Sequence, residues 1–297
     1  MHIKKAKFLN SLRVCVVIFG DGSIDFKRAA NRLGEQAKSL GIFSKVAVLD
    51  SNSLCEISSR YKEDLIKIVS LTEYPLYFRA VKPWAILSFM EDLNNTFDVI
   101  FYIDAGCEIP NNFITRSRMK KLIVKTQNIG AIAERTGYRE TAYSRDNLVK
   151  FFGSSSSANL IGQIQSTWSM FKNSELNKSF MLEWIELSDP KYKFWQDPVG
   201  EELKFQSPDF VENRWDQSIF SLLYKKYRFT TKKTYWEHGG KFGNFRGISV
   251  PIHATRNKTG VSQLPKYHTN SGLSVLSLLM NLTIDILRPV IVKFKTK

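Results

Sequence analysis

The amino-acid sequence predicts an α/β fold in which a mixed, mostly parallel sheet is flanked by helices. In the first half of the chain, short apolar segments alternate with segments of helical periodicity, a pattern typical of strands buried on both faces. Acidic residues follow three of these strands, at Asp21, Asp50 and Asp104, and such sheets bind ligands at the carboxyl ends of their strands. The chain has 297 residues, of which 43% are hydrophobic, so one large domain or two small ones can form a packed core.

The predicted elements of the first half follow from local sequence signals. The segments "RVCVVIF" and "KVAVL" are apolar and β-branched, which favours strands, and the apolar spacing between them is helical and stops at Gly41. Pro83 favours the first turn of a later helix. In order, the predicted elements are a strand at 14–19, a helix at 26–40, a strand at 45–49, a helix at 60–72, a helix at 83–93 and a strand at 99–103.

The second half of the chain is less regular, but three further elements are predicted. The segment "QIQSTWSMF" (Gln163–Phe171) alternates in polarity like a half-buried strand. Ser174 precedes an amphipathic pattern that ends at Leu187, and serine is a common cap at the start of a helix. A last helix is predicted at Arg214–Tyr227, with Asp216 in its first turn.

The C-terminal segment is predicted to be a separate helical extension. We assign residues 1–262 to one α/β domain and residues 263–297 to an amphipathic helical extension. The segment is strongly apolar, but Asp285, Arg288 and Pro289 interrupt it, which argues against a transmembrane helix. Two interpretations remain open: a helix docked on the domain, or a surface helix whose terminal lysines contact anionic lipid.

The composition is strongly basic. The chain has 43 Lys and Arg residues against 28 Asp and Glu residues, a formal net charge of +15. A positive field of this size attracts anions, so nucleic acid, phosphorylated small molecules and acidic membranes are all candidate partners. Three cysteines at irregular spacing argue against a structural zinc site. Because no export signal is recognisable, we expect a cytoplasmic protein, with peripheral contact to the inner face of a membrane as an extension of that prediction.

The segment "FYIDAGCEIP" contains the strongest candidate for a functional residue. Asp104 follows a buried strand, where a carboxylate either caps a turn or meets a ligand, and Gly106 allows a ligand to approach closely. If the chain stayed extended, Asp104 and Glu108 would lie about 13 Å apart, too far to share one cation. Either the chain turns after Asp104, or Glu108 is not a ligand, and we favour the second interpretation.

Four segments of the sequence resemble those of a known enzyme family. The segment "FDVIFYIDAGCEIP", together with "YFRAVKPWAIL", "GQIQSTWSMF" and "RWDQSIFSLL", resembles the GT-A-type nucleotide-sugar glycosyltransferases over roughly residues 12–260. The similarity is to poorly characterised microbial members and, more distantly, to the glycogenin and lipopolysaccharide-galactosyltransferase group. It implies a Rossmann-like sheet and an Asp-x-Asp motif that binds Mn²⁺ or Mg²⁺ and the donor diphosphate. Asp104 matches the first Asp and Gly106 stands in place of the second, so metal dependence stays open.

The same resemblance implies roles for residues elsewhere in the chain. Basic residues before the third strand would face the donor sugar and phosphates, a polar segment would line the sugar pocket, and an Asp-Gln pair would lie beside the reacting sugar. A late His and Lys would bind the metal and the leaving phosphate. The matching residues are Arg79 and Lys82, then Gln163, Gln165 and Ser166, then Asp216 and Gln217, and finally His253 and Lys258, with His238 as an alternative histidine.

Together these observations predict an enzyme that moves a sugar from a nucleoside-diphosphate sugar to a hydroxyl of a glycan, lipid or protein acceptor, as in polysaccharide biosynthesis. Asp216 would be the base if the enzyme inverts, and Asp216 or Gln217 would support the sugar face if it retains. Three alternatives remain. A nucleotidyltransferase would favour a Gly-rich loop that "GDGSID" lacks. A nucleic-acid-binding protein would show a known basic module, and because none is recognisable we expect no nucleic-acid partner. Gly106 is compatible with a catalytically inactive binding protein.

Overall fold

A six-stranded mixed sheet organises the computed structural model of the chain, which describes residues 11–57, 63, 78–153, 162–233, 251–254 and 260–261. The strands lie in the order β2-β1-β3-β5-β4-β6 across the sheet. Their bounds are Val14–Phe19 (β1), Lys45–Leu49 (β2), Val99–Ile103 (β3), Ala131–Arg135 (β4), Ile164–Lys172 (β5) and Thr231–Lys233 (β6).

Five of the six strands run in one direction. Strand β1 pairs in parallel with β2 and β3, and β4 pairs in parallel with β6, whereas β5 is antiparallel to both of its neighbours, β3 and β4. The prediction of a mixed, mostly parallel sheet is therefore confirmed. Because β5 is reversed, its first residues lie at the edge where β3 ends, and the N–H of Asp104 donates to the carbonyl of Thr167 at 2.8 Å.

Eight α-helices connect and cover the strands in the described part of the chain. Serine and asparagine caps begin the longer ones: Ser23 accepts from the N–H of Phe26, and Ser174 accepts from the N–H of Asn177, as its position in the sequence predicted. The bounds are Ile24–Ser39 (α1), Ser51–Ile57 (α2), Phe78–Met90 (α3), Phe113–Ile129 (α4), Glu140–Tyr143 (α5), Asp146–Phe151 (α6), Glu175–Leu187 (α7) and Asp216–Lys226 (α8), with 3₁₀ turns at Pro190–Tyr192 and Gly200–Phe205.

The prediction that Pro83 lies in the first turn of its helix was wrong. Helix α3 begins five residues earlier, at Phe78, and Pro83 lies inside it. Proline lacks the N–H that would donate to the carbonyl four residues back, so one helical hydrogen bond is missing at this point. Apolar packing outweighs that loss, because Val81, Trp84 and Leu87 of the same helix are buried against the sheet.

Two apolar layers cover the two faces of the sheet. Alternate residues of a strand point to opposite faces, so Val17 packs with helices α3, α7 and α8, while Val16 packs with helices α1 and α4. This arrangement explains why β1 and β3 are apolar at every position. No helix in the described ranges is long and apolar enough to cross a membrane. The helix predicted at 60–72 (apart from residue 63), the domain boundary at 262 and the C-terminal extension lie outside the described residues.

Candidate active site

The candidate site lies at the carboxyl ends of the parallel strands, beside the point where the strand order reverses. The chain passes from β1 to β2 on one side and then returns to place β3 on the other side of β1, and α/β sheets bind ligands in the crevice at such a reversal. Of the three predicted strand-end carboxylates, Asp104 directly follows β3 and contacts the ammonium of Lys82 on helix α3 and the hydroxyl of Tyr102 on β3.

The other two strand-end carboxylates bind the first residues of helix α2. Asp21 accepts from the N–H of Ser51 at 2.9 Å and from its hydroxyl, and Asp50 accepts from the N–H of Ser53 at 2.9 Å and its hydroxyl at 2.7 Å. The hydrogen bonds from Ser53 lower the pKa of Asp50. Both carboxylates therefore act at the start of helix α2, as common turn formers do.

A buried lysine joins two carboxylates at the end of β3. The Nζ of Lys82, on helix α3, lies 3.1 Å from Oδ1 of Asp104 and 2.8 Å from Oδ2 of Asp216. It also donates to the Oγ of Ser166 at 3.1 Å. The side chains of Lys82 and Asp216 are 12% exposed, whereas that of Asp104 is 33% exposed, so the cluster opens to solvent at Asp104. We name Lys82, Asp104, Ser166 and Asp216 the Lys82 cluster.

Neighbouring groups hold the members of the Lys82 cluster in place. Tyr102, two residues before Asp104 on the same face of β3, donates its hydroxyl to Oδ1 of Asp104 at 3.1 Å. The hydroxyl of Ser166 donates to Oδ2 of Asp216 at 2.8 Å. The pairing of β4 with β5 changes register between Ala133 and Arg135, beside Ser166, and such irregularities often redirect side chains near functional sites. Tyr102 was not predicted to be a site residue. Its position two residues before Asp104 could have indicated it, because residues two apart in a strand lie on the same face of the sheet.

The electrostatics of the cluster favour a bound hydroxyl or other donor. Burial alone would lower the pKa of Lys82, but the carboxylates of Asp104 and Asp216 outweigh it and raise the pKa, so the ammonium stays charged near neutral pH. Burial raises the pKa of Asp104, Lys82 opposes that rise, and the charge of Asp216 adds to it. Two carboxylates thus share one ammonium in a poorly solvated space.

A second hydrogen-bond chain orients the residue after Asp216. The Nε2 of Gln217 donates to Oε1 of Gln163 at 2.7 Å, and the Nε2 of the fully buried Gln163 donates to the carbonyl of Tyr143 at 3.1 Å. Gln163 therefore determines where the amide of Gln217 points. Gln165 is also buried on β5, but the contacts of the Lys82 cluster among the described residues do not include it.

The segment after Asp104 does not stay extended. The chain turns at Ala105 and Gly106, with the N–H of Cys107 donating to the carbonyl of Asp104 at 2.9 Å, which is the first of the two alternatives that the sequence left open. Glu108 is fully buried and accepts from the Nε2 of Gln36 at 3.4 Å. Its backbone pairs with that of His253 through two hydrogen bonds of 2.8 Å.

The residues that the structure describes do not fit the predicted metal ion. Asp104 already contacts the ammonium of Lys82, and Gly106 offers no side-chain ligand. Within the described ranges, no group of three or more His, Cys, Asp or Glu side chains is arranged to hold a metal. A metal at Asp104 and His253 therefore stays a prediction that needs further ligands. Lys258 and the alternative histidine at 238 lie outside the described residues, as does the side chain of Arg79.

Three solved structures resemble the chain at low similarity. The apo form of mouse xyloside xylosyltransferase 1 is 10% identical, with a TM-score of 0.42, and the match covers 75% of this chain and 85% of that one. A glycosyltransferase involved in the glycosylation of the major capsid of PBCV-1 is 8% identical, with a TM-score of 0.39 over 75% of this chain and 81% of that one. The 4-diphosphocytidyl-2C-methyl-D-erythritol synthase from Anaerococcus prevotii DSM 20548 is 8% identical, with a TM-score of 0.34 over 77% and 88%.

No family model matches the sequence, and no curated protein matches it either. Structural similarities with TM-scores this low do not decide the activity. The functional assignment therefore rests on the residues of the site itself.

Proposed function

We propose that the protein is a glycosyltransferase that transfers a sugar from a nucleoside-diphosphate sugar to a hydroxyl acceptor. The observation that supports this most is the Lys82 cluster, in which a buried ammonium lies between two carboxylates at the carboxyl edge of a mostly parallel sheet. The resemblance of the surrounding sequence segments to GT-A-type enzymes points to the same activity.

The cluster has the chemistry that a donor sugar and its diphosphate require. Carboxylates accept hydrogen bonds from sugar hydroxyls, and an ammonium donates to hydroxyl or phosphate oxygens. Asp104, the more exposed carboxylate, is the group that an entering ligand meets first. Both contacts of Asp216 fall on its Oδ2, which leaves Oδ1 for a sugar hydroxyl.

The reaction breaks the bond between the anomeric carbon and the diphosphate and forms a bond to the acceptor oxygen, and the proton of the acceptor hydroxyl passes to the released diphosphate. Negative charge grows on the leaving oxygen, and a fixed ammonium such as Lys82 stabilises that charge in a poorly solvated site. Positive charge grows on the sugar ring, and the carboxylates of Asp104 and Asp216 stabilise it. We assign Asp216 and Gln217 to the sugar face, because Asp216 already accepts from Lys82 and Ser166 and is not set apart as a base.

Further residues are proposed to bind the donor, and the acceptor can belong to several classes of molecule. Arg79 and Lys258 complete the positive charge around the diphosphate, Gln165 contributes to the polarity of the pocket, and Gly106 leaves room for the donor. A glycan, lipid or protein can carry the acceptor hydroxyl. Contact with a membrane surface through the segment at 263–297 belongs to the same set of proposals and is tested by vesicle flotation with that segment deleted.

The decisive experiment measures binding and turnover of nucleotide sugars. Wild type, Asp104→Asn and the exposed control Asp189→Asn are screened by thermal shift against nucleoside-diphosphate sugars, each with manganese and with a chelator. We expect stabilisation of wild type and of the control by at least one donor, loss of that stabilisation in Asp104→Asn, and slow release of the nucleoside diphosphate by hydrolysis.

Each alternative has its own outcome in this experiment. Tight binding of duplex DNA with no response to any nucleotide sugar would contradict the proposal and favour the nucleic-acid-binding alternative. Donor binding without hydrolysis or transfer to any acceptor would identify a catalytically inactive binding protein. Stabilisation that is equal with manganese and with a chelator would remove the metal and leave the transferase.

A further inference from the structure

Trp215, the residue before Asp216, has an unusual backbone conformation. Its φ of 52° and ψ of −118° lie in a region that residues other than glycine rarely adopt. Such conformations persist only where the surrounding structure imposes them, and they are concentrated at functional sites. Trp215 occupies the cap position of helix α8, directly between the candidate site and a surface loop.

Contacts on both sides of Trp215 impose this conformation. On the preceding side, the buried Asn213 donates from Nδ2 to the carbonyls of Phe194 and Gln196, at 3.0 Å and 2.8 Å. On the following side, Asp216 is held by Lys82 and by Ser166. The chain has to reverse between these two attachments, and Trp215 is where it does so.

Arg214, which lies between Asn213 and Trp215, is also held by several contacts. The guanidinium of Arg214 lies over the rings of Tyr138 and Tyr143, at 4.4 Å and 4.3 Å from their centroids. The N–H of Arg214 donates to the carbonyl of Tyr143 at 3.1 Å. The segment at 213–216 is therefore rigid, and the direction of the Trp215 side chain follows from it.

The indole of Trp215 is oriented at the surface. Its Nε1 donates to Oδ1 of Asp197 at 2.8 Å, and the residue is 37% exposed. The other tryptophans in the described ranges, Trp84, Trp168, Trp184 and Trp195, are at most 4% exposed. The indole N–H is engaged by Asp197, and the rest of the indole is apolar ring.

We propose that Trp215 and Asp197 form the binding site for a saccharide acceptor, with a sugar ring stacked on the indole and a hydroxyl donating to Asp197. This inference rests on the proposed function, since it assigns the acceptor to a saccharide. An apolar ring surface beside a carboxylate matches the two faces of a sugar, its C–H groups and its hydroxyls. Trp215 directly precedes Asp216 in the chain, so the proposed acceptor site adjoins the residue that we assign to the donor sugar.

The test separates acceptor binding from donor binding. In wild type, Trp215→Ala, Trp215→Phe and Asp197→Asn, the KM for the acceptor and the KM for the donor are measured separately. We expect Trp215→Ala to raise the acceptor KM about tenfold, with the donor KM unchanged within about twofold, and Trp215→Phe to recover most of the loss. Phe205→Ala is the matched control, because Phe205 is a more exposed aromatic residue (72%) outside the site.

A second measurement does not depend on turnover. Acrylamide quenching of tryptophan fluorescence is compared for wild type and Trp215→Phe, with and without a panel of methyl glycosides and disaccharides of glucose, galactose, mannose and xylose. Protection of wild type, absent in Trp215→Phe, supports the saccharide site. An unchanged acceptor KM in Trp215→Ala, or no protection by any saccharide, overturns it. If wild type hydrolyses no nucleotide sugar, the proposed transferase activity is contradicted. The quenching result alone then decides whether Trp215 binds a saccharide.

Discussion

Two buried clusters of lysine and carboxylate lie within the described part of the chain, and they differ in balance and exposure. In one, Lys225 lies 2.7 Å from Glu140, whose side chain is fully buried and also accepts from Ser144 at 3.1 Å and from Ser221. In the Lys82 cluster, one ammonium serves two carboxylates, and Asp104 is partly exposed. A balanced, enclosed pair stabilises the fold, whereas an unbalanced and open one has capacity left for a ligand.

Lys82→Met has the largest expected effect and tests whether the Lys82 cluster differs in function from the Lys225–Glu140 pair. Removing the ammonium leaves Asp104 and Asp216 facing each other, so we expect the free energy of unfolding to fall by about 3–5 kcal/mol. The kcat/KM for sugar transfer is expected to fall by about 10²–10³ or more, because the charge that stabilises the leaving group is lost. Urea denaturation and initial rates measure the two effects. Lys82→Arg is the control that keeps the charge, and full activity of Lys82→Met would contradict the role given to Lys82.

The matching change in the enclosed cluster is Lys225→Met. Glu140 would be left buried without its cation, so we again expect a loss of about 3–5 kcal/mol in the free energy of unfolding. The folded fraction should bind and turn over nucleotide sugars as wild type does, because Glu140 does not belong to the Lys82 cluster. Calorimetric titration at low temperature tests this. A loss of donor binding equal to that in Lys82→Met would erase the distinction between the clusters.

Gln163→Leu tests the hydrogen-bond chain that lies between the two clusters. Gln163 orients the amide of Gln217 and is itself held by Tyr143, so its loss should misalign Gln217. We expect kcat to fall about tenfold and the free energy of unfolding to fall by about 1–2 kcal/mol. The split between kcat and the donor KM is the readout that a purely structural role would not produce. Gln163→Glu, which keeps an acceptor for Gln217, should restore part of kcat.

The smallest expected effect is a change in how the stability of the protein depends on pH when Asp104 is replaced. Burial raises the pKa of this carboxyl above its ordinary value, so the folded state binds its proton more tightly than the unfolded state does. Stability then falls as pH rises from the ordinary value of 3.8 through the raised one. Asp104→Asn should lack this fall, so its stability relative to wild type should increase with pH across that window. Urea midpoints between pH 4 and 7 measure the difference, and parallel curves would contradict the assignment.

The sheet was predictable from sequence where its strands are apolar at most positions. Strands β1, β2, β3 and β5 were predicted within one residue, because burial on both faces leaves an almost continuous apolar segment. Strand β4 (Ala131–Arg135) and the three-residue β6 were not predicted, since both are short, β4 ends in two charged residues and β6 is polar throughout. Helices α2, α4, α5 and α6 were likewise not predicted.

The site was predictable only in part, because long-range packing assembles it. Asp104 was accessible from its strand-end position, and the family resemblance led to Lys82 and Asp216. The contacts among them depend on tertiary structure, as does the role of Gln163 in orienting Gln217. The turn after Asp104 was named only as an alternative, because the apolar pattern continues across Gly106 into Cys107 and Ile109, both of which are buried. A buried segment without regular structure shows the same run of apolar residues as a strand, so the two are hard to tell apart from sequence.

The reversed direction of β5 has a consequence for the biogenesis of the protein. Lys82 meets Ser166 across 84 positions of the chain, and Ser166 meets Asp216 across another 50. During translation, the β1-α1-β2 unit can pair as soon as it emerges, whereas the Lys82 cluster has to wait until helix α8 has left the ribosome. Contacts of such sequence separation form slowly. Asp216, the second carboxylate of the cluster, is therefore the last of its four members to become available.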